Sequence, residues 1–160
     1  MSQKSLPLLR AAFGWARAAK PSQPLSAAVW QGADRGPNDN ALSAAMLELS
    51  DVITFHAYTD NAGMRKTIAG LKTHRRPVIC TEWMARLQGA RMDTELPLFK
   101  EAGVGCYMWG LVNGRTQTQF PWSSPRDAVE PKVWFHDLLY PDGQPYDPAE
   151  IAAVRKVAAV

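Results

Sequence analysis

Four short apolar runs, LSAAVW (25–30), DVITFHAY (51–58), RPVICTE (76–82) and VGCYMW (104–109), alternate with segments of helical periodicity. This alternation, recurring roughly every 25 residues, limits the fold more than any other feature, because strands joined by helical crossovers run parallel. The runs are almost continuously apolar, as in strands with helices over both faces. Helical spacing predicts helices over 6–19, 41–49, 62–73, 93–102 and 149–157, with Asn40 and Asp147 as N-caps and Pro148 in the first turn of the last one. Residues 133–140 (VWFHDLLY) read as a helical turn, and 31–40 and 110–131 as polar loops. The chain is therefore expected to be an α/β protein with residues 1–160 as a single domain. An open doubly wound sheet and part of a (β/α)8 barrel both fit the pattern.

Composition narrows the function classes. With 160 residues, 46% of them hydrophobic and 21% charged, the chain is globular and long enough to bury a core. No apolar run approaches the ~20 residues of a membrane-spanning helix. The N-terminus lacks the apolar stretch of a signal peptide, so a cytoplasmic location is the expectation. The net charge is +3, but only His74, Arg75 and Arg76 cluster, which fits a solvated turn and not a nucleic-acid stripe. Cys80 and Cys106 make no disulfide framework, and no Cys/His set has zinc spacing. No glycine-rich phosphate motif follows a strand, so neither metal nor cofactor is expected.

The chemistry-bearing residues gather at strand ends. Side-chain alternation puts Val78, Cys80 and Glu82 on one face of their strand, Thr54, His56 and Tyr58 on one face of the strand before, and Tyr107 and Trp109 together on the strand after. If these faces line a barrel interior, Glu82 stands at its rim between the His56/Tyr58 pair and Trp109. A hydrogen bond from His56 or Tyr58 would keep Glu82 ionised and aimed, as a carboxylate nucleophile requires. A single glutamate or histidine at a strand end is usually solvated or structural. The coincidence over successive strands of Trp30, His56, Tyr58, Glu82, Trp83 and Trp109 favours a site. Six tryptophans in this length, three of them at strand ends, suit stacking on sugar rings.

ITFHAY (53–58), RPVICTEWMAR (76–86), GVGCYMWGLVNGRTQTQFPW (103–122) and PKVWFHDLLYPDGQPYDPAEIAAVRK (131–156) carry a resemblance over essentially the whole chain. It resembles the C-terminal half of clan A glycoside hydrolases, close to the cellulase- or xylanase-like family 5 and family 2 enzymes. The resemblance implies strands five to eight of a TIM barrel, four parallel strands alternating with helices, and a retaining mechanism. Glu82 matches the nucleophile ending the seventh strand, and His56 and Tyr58 match the pair that binds nucleophile or substrate. Trp109 matches the tryptophan that stacks under the sugar at the cleavage point. Asn113, Gln117 and Trp122 look like subsite contacts, Trp30 like a further wall, and Trp83 adjoins the nucleophile.

The same resemblance exposes a gap. The family's acid/base glutamate belongs to an Asn-Glu-Pro-type segment ending the fourth strand, and no such segment occurs here. Residues 1–160 also fall short of the ~250 of a full barrel. Asp34, Asp39, Asp60 and Glu101 read as solvated surface acids. The implied partners are an oligo- or polysaccharide and either the missing N-terminal half-barrel or a second copy that closes an eight-stranded barrel as a homodimer. Nucleic acid and membrane are not expected partners. The expected function is hydrolysis of β-linked glycosides with Glu82 as nucleophile, weakened or lost for want of the acid. The alternative is a non-catalytic carbohydrate-binding or structural half-barrel.

Overall fold

A computed structural model describes residues 2–30 and 41–159. The loop 31–40, with Asp34, Asp39 and the expected cap Asn40, lies outside the described residues. The fold is mixed α/β. Helices α1 (Ser2–Ala18), α2 (Ala41–Leu49), α3 (Asn61–Lys72), α4 (Met92–Ala102) and α5 (Pro148–Ala158) accompany strands β1 (Ile53–His56), β2 (Val78–Glu82) and β3 (Gly105–Cys106). The strands form one parallel sheet in the order β1-β2-β3. Among the described residues no helix is long and apolar enough to cross a membrane.

The chain, read from sequence as one domain, divides into two compact units, residues 1–57 with 63–81, and residues 58–62 with 82–160. In the first, α1 packs on α2. The end of α1 is tied down by Arg17, whose guanidinium forks onto Asp51 at 2.8 and 2.7 Å and reaches the Leu49 carbonyl. The Ile53 amide donates to the Pro77 carbonyl, which sets Val78 beside Ile53 and Cys80 beside Phe55. All four are buried, whereas Thr54, His56, Ile79 and Thr81 are half-buried. Val78 and Cys80 therefore share the covered side with Phe55, one residue out of step from the expected alignment with His56.

Segment 25–30 does not form the expected fourth strand. It meets β1 through a single parallel bridge, Val29 to Phe55. The amides of Leu25 and Ala27 bond to the side chains of Asp51 (2.8 Å) and Ser50 (3.0 Å), and the Ser26 hydroxyl donates to the Val52 carbonyl. Side chains here take ladder positions that a strand gives to carbonyls.

The second unit packs α4 against α5. α4 runs uninterrupted through Pro97 and ends at Gly103 in the left-handed conformation, while α5 starts as expected, with Asp147 accepting the Ala149 amide at 2.8 Å and Pro148 in the first turn. β3 is limited to two of the six residues expected. The expected helical turn at 133–140 is absent. Trp134, Phe135, His136, Asp137 and Leu138 are all buried, and a surface helix cannot bury five consecutive residues. The segment is irregular instead, bending at 132–133 and 135–136 and forming a bridge only at Leu139. The Phe135 amide donates to Gln119, those of Leu138 and Leu139 to Leu111, and the Phe135 carbonyl accepts from Arg86.

Candidate functional site

Glu82 ends β2 and is half-buried. The Tyr58 hydroxyl donates to its Oε2 at 3.0 Å. Tyr58 is itself fixed by rings, edge-on to Trp122 at 4.9 Å and tilted to His136 at 5.5 Å. Trp122 stands edge-on to Phe135 at 4.7 Å, yet remains 62% exposed. An indole braced by its neighbours and left open to solvent presents a rigid apolar face at low entropic cost.

That face belongs to a cavity of about 350 Å3, within the range of small-molecule sites. Trp109, Thr116, Gln117, Trp122, Arg126 and His136 contribute to its wall. Trp109 is positioned by its amide, which donates to the Trp83 carbonyl at 3.0 Å, and by Gly110. Gly110 has φ +79°, and a β-carbon there would come within 2.7 Å of Asp137 Oδ1 and 2.8 Å of His136 Cβ. Only glycine lets the Trp109 loop lie this close to the buried His136-Asp137 pair.

His136 is 1% exposed, with Nδ1 2.6 Å from the Met84 carbonyl. A carbonyl can only accept, so Nδ1 carries the proton and Nε2 is the lone-pair nitrogen of the neutral ring. Burial holds the imidazole below its ordinary range; the Met84 carbonyl and the charges of Asp137 and Glu82 oppose that effect, and Arg86 adds to it. Among the described residues, Nε2 has no hydrogen-bond partner. Asp137 accepts from the Thr118 hydroxyl at 2.7 Å. Met84, whose carbonyl orients the histidine, has φ +75°, a strained conformation for a residue with a side chain.

The structure thus brings Tyr58, Glu82, Trp109, Gln117 and Trp122 into one unit and joins them through shared contacts or a shared wall. Trp83 departs from its expected role. It is 1% exposed and edge-on to Phe99 at 5.1 Å, so it is core and has no face to offer a ligand. Asn113 is half-buried, and its carboxamide donates to Glu130 at 3.3 Å rather than lining the cavity. His56 and Trp30 fall in the other unit, His56 half-buried and Trp30 57% exposed. Burial raises the Cys106 thiol, the neighbouring Trp83 indole partly offsetting it, and no disulfide joins it to Cys80. Among the described residues no cluster of three His, Cys, Asp or Glu is arranged to hold a metal ion.

His136, Asp137 and Arg126 join the cavity or its surroundings without being singled out by the sequence pattern. For the first two a signal is present: a polar pair inside the apolar run VWFHDLLY, whose spacing reads as a helical turn. No known protein-family model and no curated protein matches the chain.

Proposed function

We propose that this chain is a glycoside hydrolase-type domain acting on β-linked glycosides, corresponding to strands five to eight of a (β/α)8 barrel, with Glu82 as the nucleophile of a retaining mechanism. The hydrogen bond from Tyr58 to Glu82, in the unit whose cavity carries Trp109, Gln117 and Trp122, is the observation that carries this reading. A carboxylate that accepts a hydroxyl proton is held in one direction, as attack on an anomeric carbon demands. In this reading the indoles of Trp109 and Trp122 support the sugar and Gln117 bonds a hydroxyl.

Retaining hydrolysis needs a second carboxyl ~5–5.5 Å from the first. Among the described residues, no acid lies in the wall of the cavity. That observation favours a second reading, a carbohydrate-binding half-barrel that holds saccharide without cleaving it. In the first reading the acid comes from the missing half-barrel or a second copy. Replacing Glu82 by Gln separates the two. Turnover of an aryl β-glycoside by the chain, abolished in E82Q while the circular dichroism spectrum is unchanged, is the expected result; turnover that survives E82Q rejects the nucleophile assignment. Quenching of tryptophan fluorescence by oligosaccharide, with no hydrolysis in either protein, selects the binding module.

A further inference from the structure

The cavity wall beyond Trp122 is made by two consecutive turns of the same construction. In PWSS (121–124) the Ser124 amide donates to the Pro121 carbonyl at 2.9 Å, and in PRDA (125–128) the Ala128 amide donates to the Pro125 carbonyl at 3.1 Å. Each turn carries proline at its first position, so the two share one pattern. Trp122 and Arg126 therefore occupy the same position in successive turns, and both line the cavity. The repetition gives the wall of one cavity both an aromatic ring and a guanidinium.

Arg126 is exposed, and among the described residues its guanidinium has no hydrogen-bond or ion-pair partner. The other arginines of this unit that carry ion pairs are committed elsewhere, Arg86 to Glu150 and Arg91 to Asp93. The acids closest in sequence do not offset Arg126 within the cavity. Asp127 is not part of the wall, Glu130 accepts from Asn113 and Gln119, and Asp137 accepts from Thr118. Among the described residues, the wall thus holds two indoles, neutral amide and hydroxyl groups, a neutral imidazole and one cation, with no acid. A planar guanidinium matches a carboxylate through two parallel N–H donors, a geometry that a sugar hydroxyl cannot use fully.

We propose that the cavity selects an anionic saccharide, a β-linked chain carrying a uronic acid, with Arg126 taking the carboxylate while Trp122 supports a ring beside it. This inference rests on the reading of the cavity as a saccharide site and adds the class of sugar. Positive charge at the wall also suits an enzyme or lectin whose nucleophilic or accepting carboxylate, Glu82, would otherwise repel such a ligand.

The test is a tryptophan-fluorescence titration of the 160-residue chain with two oligosaccharides of equal length, one ending in β-linked glucuronic acid and one in β-linked glucose. The acidic sugar should bind about tenfold more tightly, the increment of one hydrogen bond to a charged group, and the preference should shrink as salt is raised. In R126Q the ratio of the two affinities should fall to near one, and R126K should recover only part of it. Equal affinities in the wild-type chain, or a preference untouched by R126Q, overturn the proposal while leaving the saccharide site standing. Failure of both sugars to bind overturns both.

Discussion

His136 connects the local chemistry to stability. Its neutral form is the one the fold accepts, because the ring is buried and its Nδ1 proton is already given to Met84. Since the folded pKa is lowered, the unfolded chain takes up a proton first, near the ordinary value of ~6.5. Stability is therefore full above that pH and declines as the pH falls from it toward the folded pKa, with a slope of at most about 1.4 kcal/mol per pH unit. Asp137, Glu82 and Arg86 are the charged groups acting on this ring. Asparagine at position 136 has an amide that can take over the bond to Met84 but does not titrate. Urea-unfolding curves between pH 7 and 5 should fall more steeply for the wild type than for H136N, and parallel curves would refute the role given to this histidine. The residue was visible in the sequence, but the charge state of a histidine depends on what surrounds it, and VWFHDLLY gives no hint that its neighbour is a backbone carbonyl some 50 residues away in the chain.

At the scale of elements, local signals were reliable where the chain satisfies itself. The span of α2, the cap at Asp147 and the apolar runs of β1 and β2 followed from capping, periodicity and β-branched content. They failed where distant groups supply the hydrogen bonds. Segment 25–30 gives two of its amides to Ser50 and Asp51, and segment 133–140 bonds to 111, 119 and Arg86. The one-residue offset of Cys80 has a similar origin, since period 2 defines two faces but not which of them aligns with the strand beside it. Arg86 shows how much one such long-range group can hold. Its side chain is 7% exposed and that of Glu150 5%. The guanidinium bonds both Glu150 oxygens, the carbonyls of Trp134, His136 and Asp137, and lies 4.6 Å from the Tyr146 ring centre. Removing it by R86M leaves a buried carboxylate and three carbonyls unpaired, which should cost about 3–5 kcal/mol in urea unfolding. R86K should not rescue it, because an ammonium cannot span the same fork. The double change R86M/E150Q should recover part of the loss by removing the stranded charge. A cost under about 1 kcal/mol for R86M would mean that α5 and the His136 segment are held by packing alone.

At the scale of the whole molecule, the half-barrel reading makes a demand that the hydrogen bonds of segment 25–30 define closely. The amides of Leu25, Ala27 and Val29 all turn toward β1 or the residues before it, bonding to Asp51, Ser50 and Thr54. In the proposed closure, alternation turns the amides of Ser26, Ala28 and Trp30 the other way, as an edge. β3 is the outer strand at the opposite end of the order β1-β2-β3, and the chain that follows it leaves Tyr107 66% and Trp109 43% exposed. Open apolar edges in a parallel sheet invite pairing with another chain. In the proposed closure, the last strand of one copy pairs with segment 25–30 of another, and a two-fold repeat completes eight strands. Light scattering coupled to size exclusion should then give twice the chain mass of 17.7 kDa at micromolar concentration. Proline at position 28 removes an amide from the outward edge without touching the bonds to Asp51, Ser50 or Thr54. A28P should thus elute as a folded monomer with an unchanged circular dichroism spectrum. A wild-type chain that is monomeric throughout the micromolar range removes the closed dimer, and with it the second copy as the source of the missing acid.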